Sequence, residues 1–148
     1  MAFMKKYSIL LLTAGLLLAG FNSCKKASTD DEDDDCEISV ASVAGVYKLV
    51  SSKDITNAGS EVDMLHINYD DCELDDTNEL KADGTFVYTD AGVSCSPSGS
   101  TSGTWSISGQ TLRLNAGFSN IESFNCRDLV VTFRDDNDRL IKEVYRKQ

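Results

Sequence analysis

The chain predicts an all-β fold, an eight-stranded antiparallel up-and-down barrel with one short helix near residues 60–70. Three observations carry that expectation. After Glu37, short runs of β-branched and aromatic residues recur between turn residues, at the spacing of a sandwich or barrel. Helical periodicity is scarce: the exception is a polar, acid-rich passage from about Asn57 to Asp76, in which Val62, Met64, Leu65 and Ile67 supply one short helix. The strands are joined almost throughout by tight turns, and such a meander leaves two exposed edges unless it closes on itself.

The elements follow in order. Gly45-Val46-Tyr47-Lys48-Leu49-Val50-Ser51 opens the first strand. Glu79-Leu80-Lys81-Ala82 and Thr85-Phe86-Val87-Tyr88-Thr89 flank Asp83-Gly84, a pair that tolerates the positive φ of a two-residue hairpin turn. Thr104-Trp105-Ser106-Ile107-Ser108 alternates strictly, and Ser108-Gly109-Gln110 turns it into Thr111-Leu112-Arg113-Leu114-Asn115. Trp105 and Ile107 therefore share a core-facing side, as do Leu112 and Leu114. Asn120 to Phe124, Leu129 to Phe133 and Leu140 to Tyr145 complete the count of eight, the last two joined by Asp135-Asp136-Asn137-Asp138.

An eight-stranded interior is either filled by side chains or holds one small ligand. Tyr47, Phe86, Tyr88 and Trp105 are the candidate ligand contacts, within a wider aromatic set that includes Phe124, Phe133 and Tyr145. Both readings of the interior stand at this point.

Upstream, Lys5 and Lys6 precede an apolar run from Ile9 through Ala19, followed by small or polar residues and Cys24. The run is shorter than the ~20 residues of a spanning helix, and its order is that of a signal peptide over residues 1–23. The stretch Phe21-Asn22-Ser23-Cys24 resembles a bacterial lipobox. That resemblance implies a thioether-linked lipid on Cys24, whose thiol no hydroxyl or small side chain replaces, with an ordinary secreted protein as the alternative. Six adjacent acids, Asp30 to Asp35, repel one another and bury nothing, so residues 24–36 read as a lipidated cysteine and a solvated tether. The acidic run also resembles the export signal behind the lipidated cysteine of some Gram-negative surface lipoproteins. It implies an outer-membrane protein displayed at the cell surface, with the periplasmic face as the alternative.

Residues 37–148 then form the barrel domain, a length that suits one core. Removing residues 1–23 takes away Lys5 and Lys6 but none of the 24 acids, so a net charge of −10 becomes −12. A phosphate backbone would be repelled by that field, and no basic stripe opposes it, which excludes nucleic acid as a partner. A monomer is expected.

Four cysteines remain besides Cys24: Cys36, Cys72, Cys95 and Cys126, an even number in an exported chain. No C-x-x-C is present and His66 is the single histidine, so two disulfides are expected in place of a metal site. Three pairings are open. Cys72 with Cys95 closes a local excursion and Cys36 with Cys126 pins the tail, which makes that set the preferred one, at ~3–4 kcal/mol per loop in the chain-entropy model.

His66 lies between Asp63 and Asp71, but no second histidine and no Gly-x-Ser-x-Gly complete a catalytic set, so it reads as a surface or capping residue. The acids Glu61, Asp63, Asp70, Asp71, Glu73, Asp75 and Asp76 lack the EF-hand spacing and read as a solvated loop, and Asp135, Asp136 and Asp138 as a turn. The expectation is a non-enzyme without cofactor or metal.

From Gly45 onward the chain resembles the bacterial lipocalin-like lipoprotein domains. The resemblance rests on Gly45-Val46-Tyr47-Lys48-Leu49, Cys72-Glu73-Leu74-Asp75-Asp76, Ala82-Asp83-Gly84-Thr85-Phe86, Cys95, Gly103-Thr104-Trp105-Ser106-Ile107 and Leu112-Arg113-Leu114, in that order. It implies an eight-stranded barrel with an internal cup and transfers no ligand or catalytic residue. The function expected is a membrane-attached, lipid-anchored envelope protein whose barrel holds or presents a small apolar molecule. Its rival is a filled barrel that meets protein or glycan partners through its loops. An open cavity of at least ~300 Å³ separates the two.

Overall fold

Nine strands and two four-residue helices follow one another in the computed structural model, which describes residues 36–148. The signal segment, Cys24 and the acidic run lie outside the described residues. Helix α1 spans Val40–Val43, β1 Gly45–Ile55, β2 Glu61–Asp63, α2 Leu65–Asn68, β3 Thr77–Leu80 and β4 Thr85–Thr89. Strands β5 Thr101–Ser108, β6 Thr111–Leu114, β7 Gly117–Phe124, β8 Asp128–Arg134 and β9 Leu140–Lys147 complete the chain.

Every neighbouring pair is antiparallel, in the order β1-β3-β4-β5-β6-β7-β8-β9, and β9 returns to β1 from Tyr47↔Lys147 to Ile55↔Leu140. The eight-stranded barrel is thereby closed and its strand edges are paired off. Strand β2 is an addition. It pairs with the last residues of β1, Lys53 to Ile55, while β3 takes the first, Gly45 to Tyr47. The short helix expected near residues 60–70 is α2, directly after β2.

The turn after β3 uses three residues where two were expected. Lys81 N donates to Thr85 O at 2.9 Å and Gly84 N to Lys81 O at 3.0 Å, so Ala82, Asp83 and Gly84 form the loop. Gly84 has φ +85°, which no Cβ hinders, and Asp83 Oδ1 accepts from Thr85 N at 2.9 Å.

One end of the barrel is shut. Buried Val43, Tyr47, Leu80, Trp105, Leu112, Ile121, Phe124, Leu129 and Val131 form a continuous apolar core, and alternation puts Trp105 on it and packs Ile107 and Leu114 against it, as expected. Helix α1 lies at this end. Ser39 caps it reciprocally with Ser42, the Tyr47 hydroxyl donates to Val43 O at 2.6 Å, and Lys147 Nζ donates to Ser42 O at 2.8 Å. The Lys147 ammonium also stands 5.8 Å from the Tyr47 ring centroid and 5.9 Å from that of Phe124. Trp105 Nε1 satisfies its one donor on Lys81 O at 2.7 Å.

The cysteines pair as Cys36–Cys126, with Cα atoms 5.3 Å apart, and Cys72–Cys95, at 5.4 Å. The first fastens the incoming chain to the turn after β7, at the shut end, where Cys36 N also donates to Phe124 O at 2.8 Å. The second joins the segment after α2 to the loop between β4 and β5, at the opposite end.

Candidate functional site: a buried carboxylate in the open half of the barrel

Strand β9 alternates Ile141, Glu143 and Tyr145 toward the interior. Opposite it, a bulge at Val50 shifts the register of β1, so that Leu49 faces Tyr145 and Ser52 faces Glu143. Without that extra residue Ser52 would point outward. Glu143 is only 3% exposed.

Three hydroxyls surround its carboxylate. Tyr69, just after α2, donates to Oε1 at 2.6 Å, and Tyr145 donates to Oε2 at 2.7 Å. Ser52 Oγ stands 3.5 Å from Oε1, at the limit of a hydrogen bond. Desolvation first, and the neighbouring Glu143 after it, hold the Tyr69 and Tyr145 hydroxyls well above the usual phenol range. Both therefore remain neutral donors at ordinary pH. Among the described residues no lysine, arginine or histidine forms an ion pair with Glu143.

Space opens beside this group. A cavity of about 380 Å³ is lined by Leu112, Leu114, Val131 and Phe133 on its walls, Gly117 and Ser119 on β7, and Glu143, Tyr69 and Tyr145. On the other side of Tyr69 and Tyr145 lies a smaller cavity of about 200 Å³, with Leu49, Glu73, Asn78 and Tyr88. Small side chains at Gly117 and Ser119 leave room that a large residue would fill. A cleft of about 460 Å³ at the rim, between the end of β1 and the β8–β9 turn, is larger and is bordered by Asp54 and by two arginines already paired. There Arg134 meets Asp138 at 3.3 Å, and Arg139 meets Asp135 at 2.7 Å.

The residues singled out from sequence fall on both sides of this boundary. Trp105 is packed into the shut end. Tyr47 and Phe86 border a void of about 40 Å³, little more than the space of one water. Burial pushes the Tyr47 hydroxyl up to about 12. Tyr88 alone lines the more open space, and its hydroxyl donates to the buried Asp76 carboxylate. Asp76 also accepts from Ala91 N at 2.8 Å, and Asp75 from Val93 N at 2.9 Å, so these two acids brace the β4–β5 loop. His66 is exposed on α2, with Nδ1 3.5 Å from Asp71. Asp135 accepts from Asn137 N and Arg139 N within its turn. Cys24 lies outside the described residues.

Glu143, Tyr69 and Ser52 were not among the sequence candidates. One signal was available. In Leu140-Ile141-Lys142-Glu143-Val144-Tyr145 the acid shares the inward side with an isoleucine and a tyrosine, the position where an unpaired charge is least expected.

The closed eight-stranded meander, its helix across one end and its cavity toward the other are one arrangement with the sequence match: residues 43–140 match the lipocalin-like domain family. The chain belongs to that family. Comparison with curated proteins and with solved structures gave no match. A lipocalin-like barrel is in general an architecture for binding ligands. The match ends at Leu140, before Glu143 and Tyr145, so the buried acid is a finding of this chain's own geometry.

Proposed function

We propose that this protein is a lipid-anchored lipoprotein of the bacterial cell envelope whose lipocalin-like barrel holds one small, largely apolar molecule in its open half. The observation that carries the reading is the cavity of about 380 Å³, walled by Leu112, Leu114, Val131 and Phe133. It falls within the size range of small-molecule sites, and a filled barrel would not leave it. Anchoring is supported by the apolar run that ends at Cys24, and surface display by the acids from Asp30 to Asp35.

The test of binding uses the mature full-length protein with its disulfides intact and the neutral dye N-phenyl-1-naphthylamine. Saturable fluorescence enhancement is expected, and Ser119→Trp, which places an indole in the cavity, should abolish it while the melting temperature stays close to the parent's. Enhancement of equal size in Ser119→Trp, or no saturable signal in the parent, would overturn the reading. For the anchor, Cys24→Ala is expected to lose metabolic palmitate labelling and membrane association. Unchanged labelling would place the lipid elsewhere.

A further inference from the structure

The Glu143 carboxylate is satisfied in its hydrogen bonds but not in its charge. Two tyrosine hydroxyls aimed one at each oxygen suit the ionised form, which only accepts. An ionised carboxylate this deep in an apolar surround is costly unless a cation accompanies it. Tyrosine and serine bring donors and no charge. Oε1 takes Tyr69 with Ser52 at the margin, whereas Oε2 takes Tyr145 alone and keeps an accepting direction free.

We propose that the cavity is selective for a small organic amine, its ammonium group hydrogen-bonded to Glu143 and its apolar body against Leu112, Leu114, Val131 and Phe133. This inference rests on the binding reading above and names the ligand's chemistry. Tyr69 and Tyr145 line the cavity beside that carboxylate. Across those two rings, Glu73 borders the smaller cavity and adds a second negative group. Arg134 is the cationic residue on the cavity wall, and Asp138 pairs with it at 3.3 Å. A metal ion fits poorly. Hard cations take six or more oxygens, and no three His, Cys, Asp or Glu side chains gather for a metal among the described residues.

The experiment compares three probes of one shape by calorimetry on the mature, disulfide-intact protein near neutral pH: 2-phenylethylamine, 2-phenylethanol and 3-phenylpropionate. The amine should bind about 10- to 100-fold more tightly than the alcohol, the range for a hydrogen bond to a charged group, and the acid should bind worst. Glu143→Gln should bring the amine down to the level of the alcohol and leave the alcohol unchanged. Tyr145→Phe, which keeps the ring and removes one donor, provides a second variant if Glu143→Gln does not fold. It should lower amine affinity by a smaller factor. Equal binding of amine and alcohol, preference for the acid, or full amine affinity in Glu143→Gln would overturn the proposal. If the neutral dye still binds in that case, the head-group assignment fails alone; if neither the dye nor any of the three probes binds, the cavity reading fails with it.

Discussion

The shut half of the barrel and its open half share the same strands but turn different residues inward. Along β7 the inward positions run Gly117, Ser119, Ile121 and Phe124 from mouth to floor, and along β1 the corresponding change is from Ser52 to Leu49 and Tyr47. The floor packs rings and branched side chains around Val43 and Phe124, whereas the mouth keeps Glu143, Tyr69 and Asn78 beside open space. Close packing and open space are thus allotted to opposite ends of one cylinder. A strand need not be uniform along its length, and the residue that sits one pleat higher can have a different physical task.

Removing either disulfide should cost several kcal/mol, more at the shut end than at the open one. Cys36–Cys126 spans 90 residues of sequence and Cys72–Cys95 spans 23, so in the chain-entropy model their losses amount to about 4.6 and about 3.4 kcal/mol. Cys36→Ser with Cys126→Ser should therefore lower the denaturation midpoint more than Cys72→Ser with Cys95→Ser. Chemical denaturation of both double variants measures this, and the reverse order would mean that the floor holds without its bridge.

A second contrast comes from two phenylalanines. Phe124, fully buried on the floor, should cost about 3–5 kcal/mol as Phe124→Ala, because its removal leaves a cavity in close-packed surroundings. Phe118, 62% exposed at the mouth with the Arg113 guanidinium 5.2 Å from its ring centroid, should change stability by no more than about 0.5 kcal/mol as Phe118→Ala. Urea titration of the pair decides it. Comparable losses at the two sites would erase the division into halves.

The barrel itself was legible because alternation, turns and cysteines are local signals or simple arithmetic. Trp105 with Ile107, and Leu112 with Leu114, could be assigned to the interior from their spacing alone. Strand β2 was not legible, since Glu61, Val62 and Asp63 are all exposed and carry no apolar alternation. Backbone pairing to β1 holds it, aided by Glu61, which meets Lys53 at 2.6 Å and Lys142 at 3.3 Å. Helix α1 escaped notice for a related reason. Four residues are too few for periodicity, and contacts from Tyr47 and Lys147 fix it in place. The Glu143 site needed more still: the closure of β9 on β1, a bulge at Val50 and a tyrosine 74 residues away in sequence. Each is a long-range consequence of the fold, and no window of sequence contains them together.

The bridge from Cys36 to Cys126 also sets the end of the barrel at which the chain enters it. Cys36 is fastened at the shut end, the end opposite the mouth. If Cys24 carries the proposed lipid, the eleven residues between it and Cys36 limit its separation from that end to roughly 40 Å. The space beside Glu143 opens toward the other end of the barrel.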